Sequence, residues 1–146
     1  MAAGLSIEEA MIDDFRKSIN DYCSLADEDM IEKVLIDIPM PIEYADMRFA
    51  RELYRLEPYG NGNSKPLFAQ KDVTAGNIKV IGKNKNVVKM NIKASSGVTV
   101  PAICFGDGPE IEKELSAKKS FSILYEIDIN EYMGNESVQL IIKDWI

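Results

Sequence analysis

At 146 residues the chain has room for one domain, or for one domain and part of another. Hydrophobic residues make up 46%, enough for a core, but no apolar run approaches the roughly 20 residues of a membrane span. Histidine is absent, which removes the usual general base, the usual triads and most zinc sites, and the net charge of −7 argues against a uniformly basic nucleic-acid binder.

The N-terminus is small and then acidic, with no basic stretch of the kind that opens a secretory signal. Ser6 is a good N-cap, and Glu9 three residues on completes a capping box. Ile7, Met11, Ile12, Phe15, Ile19 and Tyr22 recur at helical spacing, so a helix is expected over residues 7–22. Its apolar stripe needs a partner. Residues 24–30 are polar, with a helical turn expected around 27–30. Residues 33–38 read as a short strand with Val34, Ile36 and Ile38 on one face, stopped by Pro39 and Pro41. Residues 42–56 read as helix again, with Ile42, Ala45, Phe49, Leu53 and Leu56 as its stripe. Arg48, Arg51 and Arg55 recur on this helix, but Asp46 and Glu52 interleave, the pattern of a solvated face. Cys23 and Cys104 lie far apart without metal-ligand spacing, and read as buried, reduced thiols of a cytoplasmic protein.

The chain turns at residues 56–68, LEPYGNGNSKPLF. Gly60 and Gly62 allow backbone angles other residues resist, Asn61 and Asn63 tolerate left-handed geometry, and Pro58 and Pro66 stiffen what precedes them. Beyond this corner the hydrophobic period falls to two. A strand is expected over 65–73, a tight turn at Gly76-Asn77, a second strand through Ile78 and Val80, and a turn at 84–86. The first of these can also be counted as one long bent strand reaching Val80. Val88, Met90 and Ile92 alternate with Lys89, Asn91 and Lys93, a half-buried strand. Residues 95–97 turn the chain. Residues 98–105 form an apolar strand with Pro101 inside it, hence an edge or bulged strand. An acidic helix over 107–119 opens with Pro109 and Glu110. Strands follow over 121–129 and 137–145, joined by a loop at 130–136 with Gly134 at its tip. Several short strands with a helix before the last two fit an α+β chain: an N-terminal helical segment, residues 1–56, then a Greek-key barrel of the OB type, residues 57–146.

Charge is unevenly spread. Residues 1–64 carry 6 basic and 14 acidic side chains, residues 65–93 carry 7 lysines and one aspartate, and residues 94–146 carry 4 basic and 9 acidic. Lys79, Lys83, Lys85, Lys89 and Lys93 lie on two strands and their turn. Such an island is either a solvated strand face whose lysines blunt an edge, or the positive groove of a single-strand binder. Tyr59, Phe68, Tyr125 and Tyr132 are the aromatics considered for base stacking; Phe68, beside Leu67, and Trp145 read as core, while Tyr59 and Tyr132 sit in loops beside Asn61, Asn63, Asn130 and Asn135. Asp13 with Asp14, and Asp27 with Glu28 and Asp29, are adjacent carboxylates that do not converge on a cation.

The stretch LEPYGNGNSKPLF resembles the corner of the RecJ family of single-strand-specific exonucleases, where Leu-x-Pro-(Phe/Tyr)-Gly-x-Gly-Asn-Pro-x-Pro-x-Phe introduces an OB-type domain. It departs at Ser64, where that family has proline. MAAGLS at 1–6 looks like the residues that follow the Gly-Gly-His motif of the DHH-associated domain, and NEYMGNESVQL at 130–140 resembles the family's Asn-x-(Trp/Tyr)-x-Gly strand pair. The resemblance implies that residues 1–56 are the tail of a DHH-associated domain and a connector. It implies that residues 57–146 bind single-stranded DNA through Lys79, Lys83, Lys85, Lys89, Lys93, Tyr59, Asn61, Asn63 and Tyr132. The parent would be a 5′-to-3′ single-strand exonuclease of DNA repair and recombination. Its catalytic DHH domain, with Mn²⁺ or Mg²⁺ held there, would lie outside this chain, which alone holds no cofactor and is expected to be inert. A second reading makes the barrel a docking module that packs on the nuclease core or a protein partner without touching DNA.

Overall fold

The computed structural model describes residues 4–31 and 33–146, so Met1–Ala3 of the MAAGLS stretch lie outside the described residues. Two compact units are present, residues 1–34 and 35–146. In the first, a 3-10 turn at Glu9–Met11 leads into α1 (Ile12–Tyr22), and a second 3-10 turn spans Asp27–Met30. The expected capping box at Ser6 does not form: the cap of the first turn is Glu8 and makes no side-chain hydrogen bond. The helix is amphipathic yet buries none of its residues. Ile7, Met11, Ile19 and Tyr22 are all exposed. Cys23, just past its end, is therefore exposed and not the buried thiol expected, whereas Cys104 is buried.

The second unit is a barrel with a helical lead-in. The strand expected over 33–38 shrinks to β1 (Ile38–Pro39), which pairs in parallel with the start of β2 (Phe68–Ile81). Asp37 clasps the corner from both sides: its backbone N–H donates to Leu67 O, and its carboxylate accepts from Leu67 N at 2.8 Å. The helix expected over 42–56 divides into a 3-10 turn at Ile42–Tyr44 and α2 (Met47–Tyr54). The break falls at Asp46, whose carboxylate caps α2 by accepting from Phe49 N. Ile42, Ala45, Ala50 and Leu53 join the same core as the strands. The division between units therefore falls at 34/35, not at 56/57, because α2 buries its stripe on the barrel.

Five strands close the barrel: β2, β3 (Val87–Lys93), β4 (Thr99–Phe105), β5 (Phe121–Tyr132) and β6 (Asn135–Trp145). Their order is β2-β3-β4-β6-β5, with β5 returning to pair with β2. All pairs are antiparallel except β4 with β6. α3 (Gly108–Ala117) lies between the third and fourth barrel strands, capped by Asp107, with Pro109 in its first turn. This is the OB arrangement. Val88, Met90 and Ile92 point inward as the alternation predicts, and Phe68 and Tyr125 stack at 5.7 Å between ring centres in the middle of the core.

Three expectations about strands change. Gly76-Asn77 is not a hairpin turn, since β2 runs unbroken through it. Gly76 pairs with Asn91 and Lys79 with Lys89, three residues against two: a β-bulge, with Asn77 at φ 52°. A second bulge at Asp72 (φ 58°) lies between the pairs Gln70–Ile123 and Val73–Phe121. β4 is an internal strand, not an edge; Pro101 is tolerated because β6 pairs only with Ala102, Ile103 and Cys104, leaving Pro101 with β3 alone. The loop expected at 130–136 is only Met133-Gly134, at φ 50° and 78°, so β5 and β6 run almost to the tip. Among the described residues no helix is long and apolar enough to cross a membrane.

Candidate nucleic-acid interface

The two bulges decide which way β2 faces. Each adds one residue to β2 and so reverses its inward parity. Phe68 faces the core, then Val73 and Ala75, then Ile78 and Val80. Without the bulge at Asn77, Lys79 would share a face with the core residue Val88. With it, Lys79 points outward and stands directly across from Lys89. Thr74 likewise pairs with Lys93, and Lys93 with Thr99 of β4. Lys79, Lys89 and Lys93 are all exposed.

Lys83 and Lys85 follow in the β2–β3 turn, both exposed. Lys85 sits at φ 53°, and the turn is pinned from below. Gly106 N donates to Asn86 O at 3.1 Å and Gly108 N donates to Lys85 O at 3.0 Å. Gly108 is required there: a Cβ on it would lie 2.4 Å from Lys85 O and 2.5 Å from Val80 Cγ1. Among the described residues none of the five lysines has a carboxylate within ion-pair reach. Like charges directly opposite on a sheet destabilise it. Among the described residues the Lys79–Lys89 pair is thus uncompensated, and an anion laid between the two would relieve it.

The other side of the barrel behaves differently. Lys65 donates to Asp128 at 3.2 Å, Lys143 to Glu126 at 3.0 Å, and Arg51 to Glu136 at 2.7 Å. Arg55 is paired with the interleaved Glu52 at 2.7 Å, and all three arginines of the row are solvent-facing or ion-paired at the surface. The Tyr54 hydroxyl also donates to Asp128, at 3.0 Å. Partial burial, then this carboxylate, raise its pKa.

The corner residues divide. The Tyr59 hydroxyl donates to Leu53 O at 2.5 Å, and burial is the first cause of its raised pKa. Asn63 Nδ2 donates to Leu56 O and Pro58 O, both at 2.9 Å. Both side chains latch the corner to the end of α2, while Asn61 is left exposed. Tyr132 is exposed on the β5–β6 hairpin, between Glu131 and Met133. Tyr125 offers no stacking surface, since it is fully buried with its hydroxyl donating to Met40 O at 2.6 Å. The residue missed from sequence is Phe105, exposed on the outer face of β4 across from Val87. The signal was present: Val100, Ala102 and Cys104 are the inward set, so an odd-numbered phenylalanine faces out. Among the described residues no three carboxylate or thiol side chains gather to hold a metal ion.

The family model described as the RecJ OB domain matches residues 36–144. The chain is 30% identical over 146 residues to the single-stranded-DNA-specific exonuclease RecJ of Bacillus subtilis, covering 99% of this chain and 18% of that protein. It is 30% identical over 145 residues to the RecJ of Haemophilus influenzae, covering 97% of this chain and 25% of that protein. The chain thus spans about a fifth to a quarter of the length of these relatives. The crystal structure of RecJ in complex with Mn²⁺ from Thermus thermophilus superposes with a TM-score of 0.69 at 19% identity, over 97% of this chain and 20% of that one. The barrel closure, the helix between its third and fourth strands, and these matches agree: the chain belongs to the RecJ OB domain family.

Proposed function

We propose that this chain is the single-stranded-DNA-binding, C-terminal part of a RecJ-like 5′-to-3′ exonuclease acting in cytoplasmic DNA repair and recombination. The barrel presents the strand to a DHH catalytic domain that lies outside this sequence, where Mn²⁺ or Mg²⁺ is held. The observation that carries the reading is the uncompensated lysine face, centred on the directly opposed Lys79 and Lys89. A polyanion supplies the missing counter-charge, and a single strand can follow the outer faces of β2 and β3 into the Lys83–Lys85 turn. Lysines meet phosphate as point charges, so base identity has little influence. Tyr59 and Asn63 contribute by holding the corner, and Asn61 and Tyr132, exposed on the corner and on the β5–β6 hairpin, remain free to meet the strand. No metal-dependent step is assigned to the residues of this chain.

Titration with a single-stranded oligonucleotide at several salt concentrations tests the reading. Three to five engaged lysines give a log–log salt slope of roughly −2 to −3.5, at about −0.7 per phosphate on a single strand. Replacing Lys85 and Lys89 by alanine flattens it by about 1.4. An absence of binding at low salt, or a slope untouched by the double substitution, removes the lysine face from the mechanism.

The apolar stripe of α1 is exposed, which suits a surface covered by the rest of a longer polypeptide; it belongs to the first unit and does not bear on the second reading, in which the barrel docks without touching DNA.

A further inference from the structure

Phe105 closes β4, and it is the aromatic residue on the strands β3 and β4. The residue is 59% exposed, although its neighbour Cys104 is 2% exposed in the core. The register sets it in a row with Val87 and Ile81, and the next row toward the middle of the sheet is Ile103, Lys89 and Lys79. Successive outward rows on a strand are about 7 Å apart. On its other side lies the turn with Lys83 and Lys85, tied to the residues following Phe105 by Gly106 N to Asn86 O and Gly108 N to Lys85 O. Phe105 therefore stands, in sheet register, between the Lys79–Lys89 row and the turn with Lys83 and Lys85, and backbone hydrogen bonds fix that turn to the residues after it. Tyr132 is as exposed, but it lies on the β5–β6 hairpin next to Glu131, away from the strands that carry the lysines.

We propose that Phe105 is a base-stacking platform. One nucleobase of the bound strand lies on the exposed face of the ring while Lys83, Lys85 and Lys89 take the adjoining phosphates. The inference rests on the reading of the lysine face as a single-strand site and adds the contact that lysines cannot supply. The charge of the flanking lysines selects a polyanion, and a ring without hydrogen-bonding groups accepts any base. The stacked base also covers an apolar surface that the fold leaves in water.

The test uses the 146-residue chain, an oligodeoxythymidylate of about twelve nucleotides, within the span one OB fold covers, and the same phosphate chain made of abasic sites. Phe105→Ala weakens binding of the oligodeoxythymidylate roughly 5- to 150-fold, with an unchanged salt slope. Phe105→Trp preserves the affinity, and Phe105→Leu, which keeps an apolar side chain without a π-face, falls with alanine. On the abasic oligomer all four proteins bind alike. If Phe105→Ala binds oligodeoxythymidylate as the native chain does, while the lysine double substitution still flattens the slope, stacking is wrong and the lysine face stands. An equal loss on both oligomers overturns the proposal too, because the ring then acts on the protein and not on a base. If the native chain binds neither oligomer, both readings fall.

Discussion

The opposed lysines allow a measurement of what the interface costs the fold. In the native chain Lys79 and Lys89 are direct cross-strand partners on the outer face, both exposed and, among the described residues, without an acidic neighbour in ion-pair reach. Lys89→Glu turns a repulsive pair into an attractive one. Directly opposed charges change sheet stability by roughly 0.2–1 kcal/mol in either sense, so reversing one sign stabilises the barrel by about 0.5–1.5 kcal/mol at low salt. Urea unfolding in a low-salt buffer should show a higher midpoint with an unchanged m-value. At about 1 M salt, where the screening length falls to about 3 Å, most of the gain should vanish. Lys83→Glu is the control, because it changes the net charge equally at a turn residue with no cross-strand partner. The same Lys89→Glu protein should lose single-strand affinity, so stability and binding move in opposite directions. A midpoint that stays level or falls at low salt would refute the reasoning. So would a gain that persists at high salt or is matched by Lys83→Glu. Each result would mean that the bulge at Asn77 does not bring Lys79 against Lys89 in solution.

Gly108→Ala should destabilise the barrel by about 1–3 kcal/mol, since its Cβ lands 2.4 Å from Lys85 O and the close-packed turn has to shift; thermal unfolding reads the loss, and oligonucleotide titration should show weaker binding with it. Tyr125→Phe leaves Met40 O without its 2.6 Å donor and should cost about 1–3 kcal/mol in urea unfolding. The Tyr125 hydroxyl is pushed well above its ordinary value of 10.0, first by burial and then by the charge of Glu43. Its folded state favours the neutral form, so its contribution is complete below about pH 10 and is lost as pH climbs above that. Stability of the native chain should accordingly fall more steeply above about pH 10 than that of Tyr125→Phe. Asn63→Ala removes two hydrogen bonds from the corner and should lower stability by about 1 kcal/mol while leaving the single-strand affinity of the folded protein unchanged; a loss of affinity without loss of fold would return Asn63 to the interface.

Much of this architecture is written locally. The change of period at residues 56–68 marks where helix gives way to strand, because side-chain spacing follows directly from backbone geometry. Val88, Met90 and Ile92 against Lys89 and Lys93 define the two faces of β3 for the same reason, and Asp107 with Pro109 announces α3 through its cap. The family was legible only as a resemblance of the corner LEPYGNGNSKPLF to that of known members, since composition alone marks it no more than as a structural turn. What remained hidden depends on residues distant in sequence. Gly76-Asn77 has the composition of a turn, and a left-handed residue serves a hairpin or a bulge equally well; only the register of β2 against β3 settles the matter. That register sends Lys79 outward to face Lys89. Phe105 could be placed outside β4 from alternation, but its neighbourhood could not, because the Lys83–Lys85 turn reaches it through hydrogen bonds across the barrel end. The segment before the corner looked like a separate helical piece until the core showed Ile42, Ala50 and Leu53 packed with Phe68 and Tyr125. Periodicity reports which face of an element is apolar. Which partner covers that face is decided by chain closure, a property of contacts between distant residues that no short window of sequence contains.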